Sequence, residues 1–143
     1  MPFTNRTVST TVDKGWGLAV ANSRLHGCIV LVVEDEPLIG LEIVEALSAF
    51  GAHGLSACGV ADAIKAVDLH RIAAAVLDIN LGGDDCSVLC THLSQRQIPF
   101  VFYTGYATAP DGWGYVPIIT KPAHPTQIVD AVERICGSHQ QAA

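Results

Sequence analysis

The chain has 143 residues, of which 50% are hydrophobic and 15% charged, so it is long and apolar enough for one domain with a single core. Its 8 Lys and Arg against 14 Asp and Glu give a formal net charge of −6, which argues against a general nucleic-acid-binding or anionic-membrane surface. The sequence has no apolar stretch of the roughly 20 residues that a membrane span needs and no signal peptide pattern, and its odd set of five cysteines lacks zinc-site spacing, so we expect a reduced, cytoplasmic protein.

The predicted elements alternate along the chain. Residues 1–26 show no sustained period and predict a flexible N-terminal extension, followed by a domain over 27–137 and a tail over 138–143. Short apolar runs predict strands, and stretches of helical periodicity between them predict helices. The strands are expected at about 28–33, 52–57, 74–78, 99–103 and 116–119. The helices are expected from Pro37 to before Gly51, at about 60–69, at about 85–95, and up to a stop at Gly137. This order predicts an α/β protein with a five-stranded parallel sheet covered by helices on both faces.

The connection between the last two strands is unusually short. Only eleven residues, Gly105 to Tyr115, lie between Thr104 and Val116, and they include one proline and two glycines. A parallel crossover needs roughly ten to twelve residues including its helix, and these residue types break helices. We therefore predict that the fourth helix is missing or reduced to a single turn, and that the segment is mobile.

Polar residues follow the strands at the points where the apolar runs end. Glu34 and Asp35 follow the first strand, Asp78 the third, Thr104 the fourth and Lys121 the fifth. Ligands bind at the carboxyl ends of the strands in an open parallel sheet, so these side chains should meet at one crevice. Each residue alone has an ordinary reading as a cap, a turn former or a strand residue. Their joint occurrence at four strand ends predicts a site.

The residue types at this edge suit metal binding and phosphoryl transfer. Mg²⁺ prefers oxygen ligands, and we expect it to be held by Glu34, Asp35, Asp78 and the backbone carbonyl of Asn80. A carboxylate can attack phosphorus and form an acyl phosphate, which makes Asp78 the candidate phosphoacceptor.

Two further residues would assist that transfer. Lys121 would offer an ammonium to one phosphoryl oxygen and Thr104 a hydroxyl to another, since phosphoryl transfer depends chiefly on positioning and charge stabilisation.

Four motifs, in order, resemble those of the receiver domains of two-component response regulators across about residues 27–137. They are Val32–Pro37, Leu77–Leu81, Tyr103–Gly105 and Lys121-Pro122. The resemblance implies a flavodoxin-like or CheY-like doubly wound sheet of strand order 2-1-3-4-5. It also implies that Asp78 is phosphorylated, with Mg²⁺, by a histidine kinase or phosphotransfer protein, and that the Lys121-Pro122 peptide is cis.

A narrower likeness lies in Pro99–Tyr106, which is similar to the PFxFATG(Y) signature of an atypical single-domain subgroup. That resemblance implies a histidine kinase partner of the HWE type and agrees with the short crossover. Tyr103 stands where the signature has Ala, and Ile118 stands where receivers usually carry an aromatic switch residue. Three aromatic residues could replace that switch or simply pack in the loop: Tyr106, Trp113 and Tyr115.

After Gly137 only six residues follow in this sequence. We therefore expect a stand-alone receiver that signals by phosphorylation-dependent protein binding and is no enzyme beyond its own aspartyl phosphorylation and dephosphorylation. A phosphate sink or relay without its own target is the alternative. A flavodoxin-like small-molecule binder is disfavoured, because no glycine-rich loop follows the first strand.

Overall fold

The computed structural model describes residues 23–81, 84–105 and 108–142. Within them the strands are β1 (Ile29–Val33), β2 (His53–Ala57), β3 (Ile72–Leu77), β4 (Asn80–Leu81), β5 (Asp84–Asp85), β6 (Phe100–Thr104) and β7 (Ile118–Thr120). The helices are α1 (Pro37–Ala49), α2 (Val60–Leu69), α3 (Cys86–Gln95) and α4 (Pro125–Ala142). Residues 1–22 of the expected extension, the Gly82-Gly83 part of an expected turn, and Tyr106 lie outside the described residues.

Five of the strands form one parallel sheet in the order β2-β1-β3-β6-β7. Counted among the parallel strands this is the order 2-1-3-4-5, so the predicted doubly wound architecture is confirmed. The two-residue strands β4 and β5 pair antiparallel just beyond β3, where the sequence predicted only a turn.

Successive strand residues point to opposite faces of the sheet and build two separate hydrophobic clusters. In β1, Val30 and Val32 are buried in the cluster shared with α1 and α4, whereas Leu31 and Val33 are buried in the cluster shared with α2 and α3. Both faces are therefore covered, which explains why the strands read as near-continuous apolar runs instead of alternating ones.

Local sequence signals explain the starts of two helices. Pro37 begins α1, where its missing N–H costs no hydrogen bond. Asp85 caps α3 by accepting a hydrogen bond from the Ser87 N–H at 2.9 Å. The prediction that the last helix stops at Gly137 is wrong, because α4 continues to Ala142. A glycine inside a helix costs only about 1 kcal/mol relative to alanine, and no proline follows it.

The segment between β6 and β7 contains no helix in its described part, residues 108–117, as predicted. It is attached to the sheet by an aromatic contact instead, since the rings of Trp113 and Phe100 lie 5.8 Å apart. Two turn hydrogen bonds shape it: the Trp113 N–H donates to the Pro110 carbonyl at 3.0 Å, and the Val116 N–H donates to the Trp113 carbonyl at 3.1 Å.

The described N-terminal residues pack against the domain. Leu25 is fully buried in the cluster of α1 and α4, and the Ser23 hydroxyl donates to a Glu133 carboxylate oxygen at 2.8 Å. Leu25, which was expected in the extension, thus belongs to the core. Among the helices that the structure describes, none combines the length and apolar character that crossing a membrane requires.

Candidate functional site

The first half of the site lies where β1 and β3 end. Val33 pairs with Leu77 in the parallel register, so Glu34 and Asp78 leave the sheet side by side. The Asp78 N–H donates to the Val33 carbonyl at 3.0 Å, and the Asn80 N–H donates to Asp78 Oδ1 at 3.1 Å. One oxygen of the Asp78 carboxylate is therefore fixed by the turn, which orients the other oxygen.

The second half lies where β6 and β7 end. Thr104 pairs with Thr120, and the Lys121 N–H donates to the Thr104 carbonyl at 2.8 Å. This register places Lys121 directly beyond the sheet, on the same edge as Thr104. The Lys121-Pro122 peptide is cis, as the family resemblance implied.

A single ammonium joins the two halves. Lys121 Nζ lies 2.9 Å from Asp78 Oδ2 and 2.7 Å from Glu34 Oε2, with Glu36 Oε1 farther away at 3.8 Å. Glu34 and Asp78 are only 4% and 5% exposed. Two buried carboxylates thus share one cation, and an unpaired charge at this depth would be strongly unfavourable.

Three acidic residues form a group with the spacing of a metal site. Glu34, Asp35 and Asp78 can each place one carboxylate oxygen within 4.8 Å of the others, and Asp35 is the exposed member. Oxygen donors with one open side fit a hard cation such as Mg²⁺, which keeps several of its waters. Asn80, whose backbone carbonyl is the predicted fourth ligand, lines the same cavity.

That cavity, of about 290 Å³, gathers most of the predicted site residues. Its lining is Asp35, Glu36, Asp78, Asn80, Thr104, Gly105 and Lys121. Glu34 joins them through its ion pair with Lys121. Glu36 and Gly105 are additions to the predicted set. An anionic group entering this cavity would meet an ammonium and a hydroxyl, beside carboxylates that a metal ion can neutralise.

The shared cation and the burial shift the protonation of two residues. Burial raises the pKa of Glu34 to about 7, despite the opposing hydrogen bond from Lys121, and the negative charge of Asp78 acts in the same direction as burial. Burial lowers the pKa of Lys121, but its hydrogen bonds and attraction to Glu34 and Asp78 outweigh that effect and leave the pKa above its usual value. Lys121 is therefore a permanent cation here.

Tyr103 also belongs to the site, although in the sequence it stands out only as a departure from the similar signature. The ring of Tyr103 lies beneath Lys121, with Nζ 5.5 Å from the ring centroid, and its hydroxyl accepts a hydrogen bond from the Ala123 N–H at 3.3 Å. The available sequence signal was an aromatic residue directly before Thr104, where the similar signature has Ala.

The fold and the edge site agree with a comparison against known families. A family model described as "Response regulator receiver domain" matches residues 30–133. This chain belongs to that family. Receiver domains bind Mg²⁺ through an acidic pocket and are phosphorylated by histidine kinases or phosphotransfer proteins.

A curated relative of this receiver domain is the transcriptional regulatory protein TcrA of Mycobacterium tuberculosis. The two are 34% identical over 89 residues, which cover 62% of this chain and 35% of TcrA. The matched part thus spans about a third of the length of that relative.

Solved structures share the fold at lower identity. A response regulator receiver protein from Sinorhizobium medicae has a TM-score of 0.69 at 21% identity, covering 80% of this chain and 98% of its own. A CheY-like receiver domain protein from Methanospirillum hungatei has a TM-score of 0.73 at 18% identity, covering 82% of this chain and 99% of its own.

Proposed function

We propose that this receiver domain accepts a phosphoryl group on Asp78 and signals through protein contacts that depend on that group. The observation that carries the proposal is the position of Asp78 Oδ2, which lies 2.9 Å from the Lys121 ammonium and belongs to the carboxylate group that can hold a metal ion. Family membership supports it, because receiver domains are phosphoacceptors.

The transfer moves a phosphoryl group from a phosphohistidine to a carboxylate. Asp78 Oδ2 forms the new O–P bond while the N–P bond of the donor breaks, and the electron pair of that bond returns to the imidazole nitrogen. Asp78 Oδ1 stays tied to the Asn80 N–H, which keeps the nucleophilic oxygen turned toward Lys121. The acyl phosphate on Asp78 is the product.

The surrounding residues stabilise charge on the transferred group. The Lys121 ammonium pairs with one phosphoryl oxygen, and the Thr104 hydroxyl donates to another. Glu34, Asp35, Asp78 and the Asn80 carbonyl would hold Mg²⁺, which supplies charge neutralisation when it is bound. Gly105, which lines the cavity, presents no side chain to an approaching donor.

The signal leaves through the surface next to Thr104 and Lys121. Phosphorylation adds about −1.5 to −2 charge at neutral pH and draws both residues toward the phosphoryl group. Thr104 leads into the segment whose described part, Gly105 and residues 108–117, contains no helix, and Lys121 leads into α4. We infer that phosphorylation orders residues 105–115 and reshapes the surface of β7 and α4, to which a downstream protein binds.

The kinase partner is proposed to be of the HWE type, and this chain to belong to the PFxFATG(Y) subgroup of single-domain receivers. The match over Pro99–Tyr106 and the missing helix at 108–117 support that assignment. Purified kinases of HWE and other types, compared as phosphodonors, test it. Equal or faster transfer from the other types would contradict it.

Labelling with a small phosphodonor tests the proposed function. Wild type, Asp78→Asn and the control Asp111→Asn, an exposed loop residue, are incubated with Mg²⁺ and acetyl phosphate and followed by intact-protein mass. We expect one phosphoryl group on wild type and on Asp111→Asn, and none on Asp78→Asn. Equal incorporation into Asp78→Asn would contradict the proposal.

Partner capture with and without beryllofluoride tests the signalling step. A phosphorylation-dependent partner other than the kinase is expected. If no protein other than the kinase is captured in either state, the chain acts as a phosphate sink or relay.

A further inference from the structure

We propose that Tyr103 is a positioning residue for phosphoryl transfer, which holds the Lys121 ammonium and its loop in register with Asp78. This inference rests on the proposed function, because it concerns the same transfer. It assigns to Tyr103 a role that the family motifs leave open, since the similar signature has Ala at this position.

The first contact is between the ring and the ammonium. Lys121 Nζ lies over the Tyr103 ring at 5.5 Å from the centroid. The negative face of an aromatic ring attracts an ammonium at this range. A lysine is a compact charge on a flexible four-carbon stem, so its position depends on what surrounds it. The ring therefore attracts the ammonium without carrying a net charge, while the ammonium also faces Glu34 and Asp78.

The second contact is between the hydroxyl and the backbone of the loop. Tyr103 accepts a hydrogen bond from the Ala123 N–H at 3.3 Å, two residues beyond Lys121. The backbone of Lys121 is also tied to the preceding strand, through its N–H to the Thr104 carbonyl at 2.8 Å. The Tyr103 hydroxyl therefore fixes the far side of the Lys121–Ala123 loop, and the strand fixes the near side.

Tyr103 is itself held rigidly. It lies in β6, is 5% exposed, and is buried in the cluster of α1 and α4. A ring packed in the core is itself fixed, so it can restrict the positions that the flexible side chain of Lys121 takes. Misplacing a catalytic group by about 1 Å can cost roughly a hundredfold in rate, so this support matters for the transfer step.

The competing interpretation is that Tyr103 only fills the core. Three variants separate the two: Tyr103→Phe keeps the ring and removes the hydroxyl, Tyr103→Leu removes both, and Phe50→Leu removes an aromatic ring from the same cluster. Each is tested as the full chain and at a temperature where its unfolding curve shows the folded state. Packing alone predicts that Tyr103→Leu and Phe50→Leu behave alike.

The first readout is the NMR signal of the Lys121 side chain in the unphosphorylated protein. The ring current of Tyr103 should displace the Lys121 ε-proton resonances in wild type, Tyr103→Phe and Phe50→Leu. The displacement should disappear in Tyr103→Leu. Unchanged Lys121 resonances in Tyr103→Leu would overturn the proposal.

The second readout separates metal affinity from the transfer rate. We expect no variant to bind Mg²⁺ more weakly than wild type, because Tyr103 has no contact with the metal-site carboxylates and a displaced Lys121 would compete less with the metal ion for Glu34 and Asp78. At saturating Mg²⁺ and acetyl phosphate, labelling should slow by roughly three- to tenfold in Tyr103→Phe and by roughly ten- to a hundredfold in Tyr103→Leu. Phe50→Leu should label at the wild-type rate.

Wild-type labelling by folded Tyr103→Leu, or Mg²⁺ affinity that falls in proportion to the rate, would overturn the proposal. If Tyr103→Leu does not fold, a wild-type rate for Tyr103→Phe overturns it instead. If wild type itself takes up no phosphoryl group, the proposed function fails, and the Lys121 resonances still decide whether Tyr103 positions the ammonium.

Discussion

At the scale of single residues, the site holds more negative charge than positive charge. Among the described residues, Lys121 is the cation paired with the two buried carboxylates, at 2.7 Å and 2.9 Å, while Asp35 adds a third carboxylate nearby. Burial raises the pKa of Glu34 to about 7, and the negative charge of Asp78 acts in the same direction. The metal-free protein therefore carries an unfavourable interaction that a divalent cation would relieve.

The protonation of Glu34 predicts a pH-dependent stability. Because its folded-state pKa lies above the unfolded value of 4.5, the folded state binds more protons between about pH 4.5 and pH 7, and the stability decreases as pH rises through that window. Glu34→Gln, which mimics the protonated form, should raise the free energy of unfolding by about 1–3 kcal/mol at pH 8.

Urea unfolding without metal measures this effect. The gain from Glu34→Gln should shrink toward zero near pH 4.5, and the exposed control Glu42→Gln on α1 should show no such trend. A gain of the same size at both pH values would contradict the assignment.

Removing the cation should have the opposite effect. Lys121→Met leaves Glu34 and Asp78 buried without a positive partner, so it should lower the free energy of unfolding by about 2–4 kcal/mol in metal-free buffer. Mg²⁺ should restore more stability to this variant than to wild type. The control is Lys65→Met, at an exposed position of α2. An unchanged unfolding midpoint for Lys121→Met would argue against the shared-cation description.

At the scale of elements, two glycines differ in the space that their neighbours leave for a side chain. A Cβ on Gly54 of β2 would lie 2.9–3.0 Å from atoms of Val44 on α1, whereas a Cβ on Gly40 of α1 would meet Ser56 Oγ at an ordinary 3.6 Å. Gly54→Ala should therefore destabilise the protein by about 1–3 kcal/mol. Gly40→Ala should stabilise it by about 0.5–1 kcal/mol through helix propensity.

Thermal or urea unfolding of these two variants measures the closeness of β2 and α1. If Gly54→Ala is neutral, the helix and strand are farther apart than described. If Gly40→Ala is destabilising, the space beside Ser56 is smaller than described.

The segment between β6 and β7 is expected to be the most dynamic described part of the domain. Without a helix, its backbone hydrogen bonds are few, so amides of residues 108–115 should exchange much faster than those of α1, with the turn amide of Trp113 slower than its neighbours. Adding Mg²⁺ and beryllofluoride should slow exchange here. Resting protection equal to that of α1, or no response to beryllofluoride, would contradict the proposed ordering.

Elements were predictable where local chemistry decides them. Apolar runs between helical patterns located the five parallel strands, and Pro37 marked the start of α1. Gly137 was misleading, because a glycine inside a helix costs only about 1 kcal/mol relative to alanine and the helix continues through it. The burial of Leu25 had no periodic signal, since it depends on one side chain meeting a core formed by distant residues.

The site also had features that the sequence predicts and features that depend on contacts between distant residues. Its candidate residues were predictable because the carboxyl ends of parallel strands share one edge, and the register then placed Glu34 beside Asp78. The contact of Tyr103 with Lys121 was not predictable, because it depends on the path of the loop after β7. The sharing of Lys121 between two acids likewise required distances that spacing along the sequence does not supply.

At the scale of the whole molecule, helices cover both faces of the sheet, and the acidic site lies at the carboxyl edge of the parallel strands. Side chains of the helices complete both hydrophobic clusters. The cavity of about 290 Å³ lies at the carboxyl ends of β1, β3, β6 and β7. With a net charge of −6, the chain offers no broad attraction for a phosphorylated donor. In the proposed function, Lys121 and a metal ion held by the acidic group would therefore provide the attraction.

Chemical trapping of the phosphorylated residue tests the central claim most directly. Borohydride reduces an aspartyl phosphate to homoserine, and peptide mass spectrometry then identifies the modified position. After treatment of the wild-type chain with Mg²⁺ and acetyl phosphate, homoserine should appear at residue 78 and be absent when the donor is omitted. Donor-dependent modification at Glu34 or Asp35 instead, or at no acidic residue, would contradict the assignment of Asp78 as the phosphoacceptor.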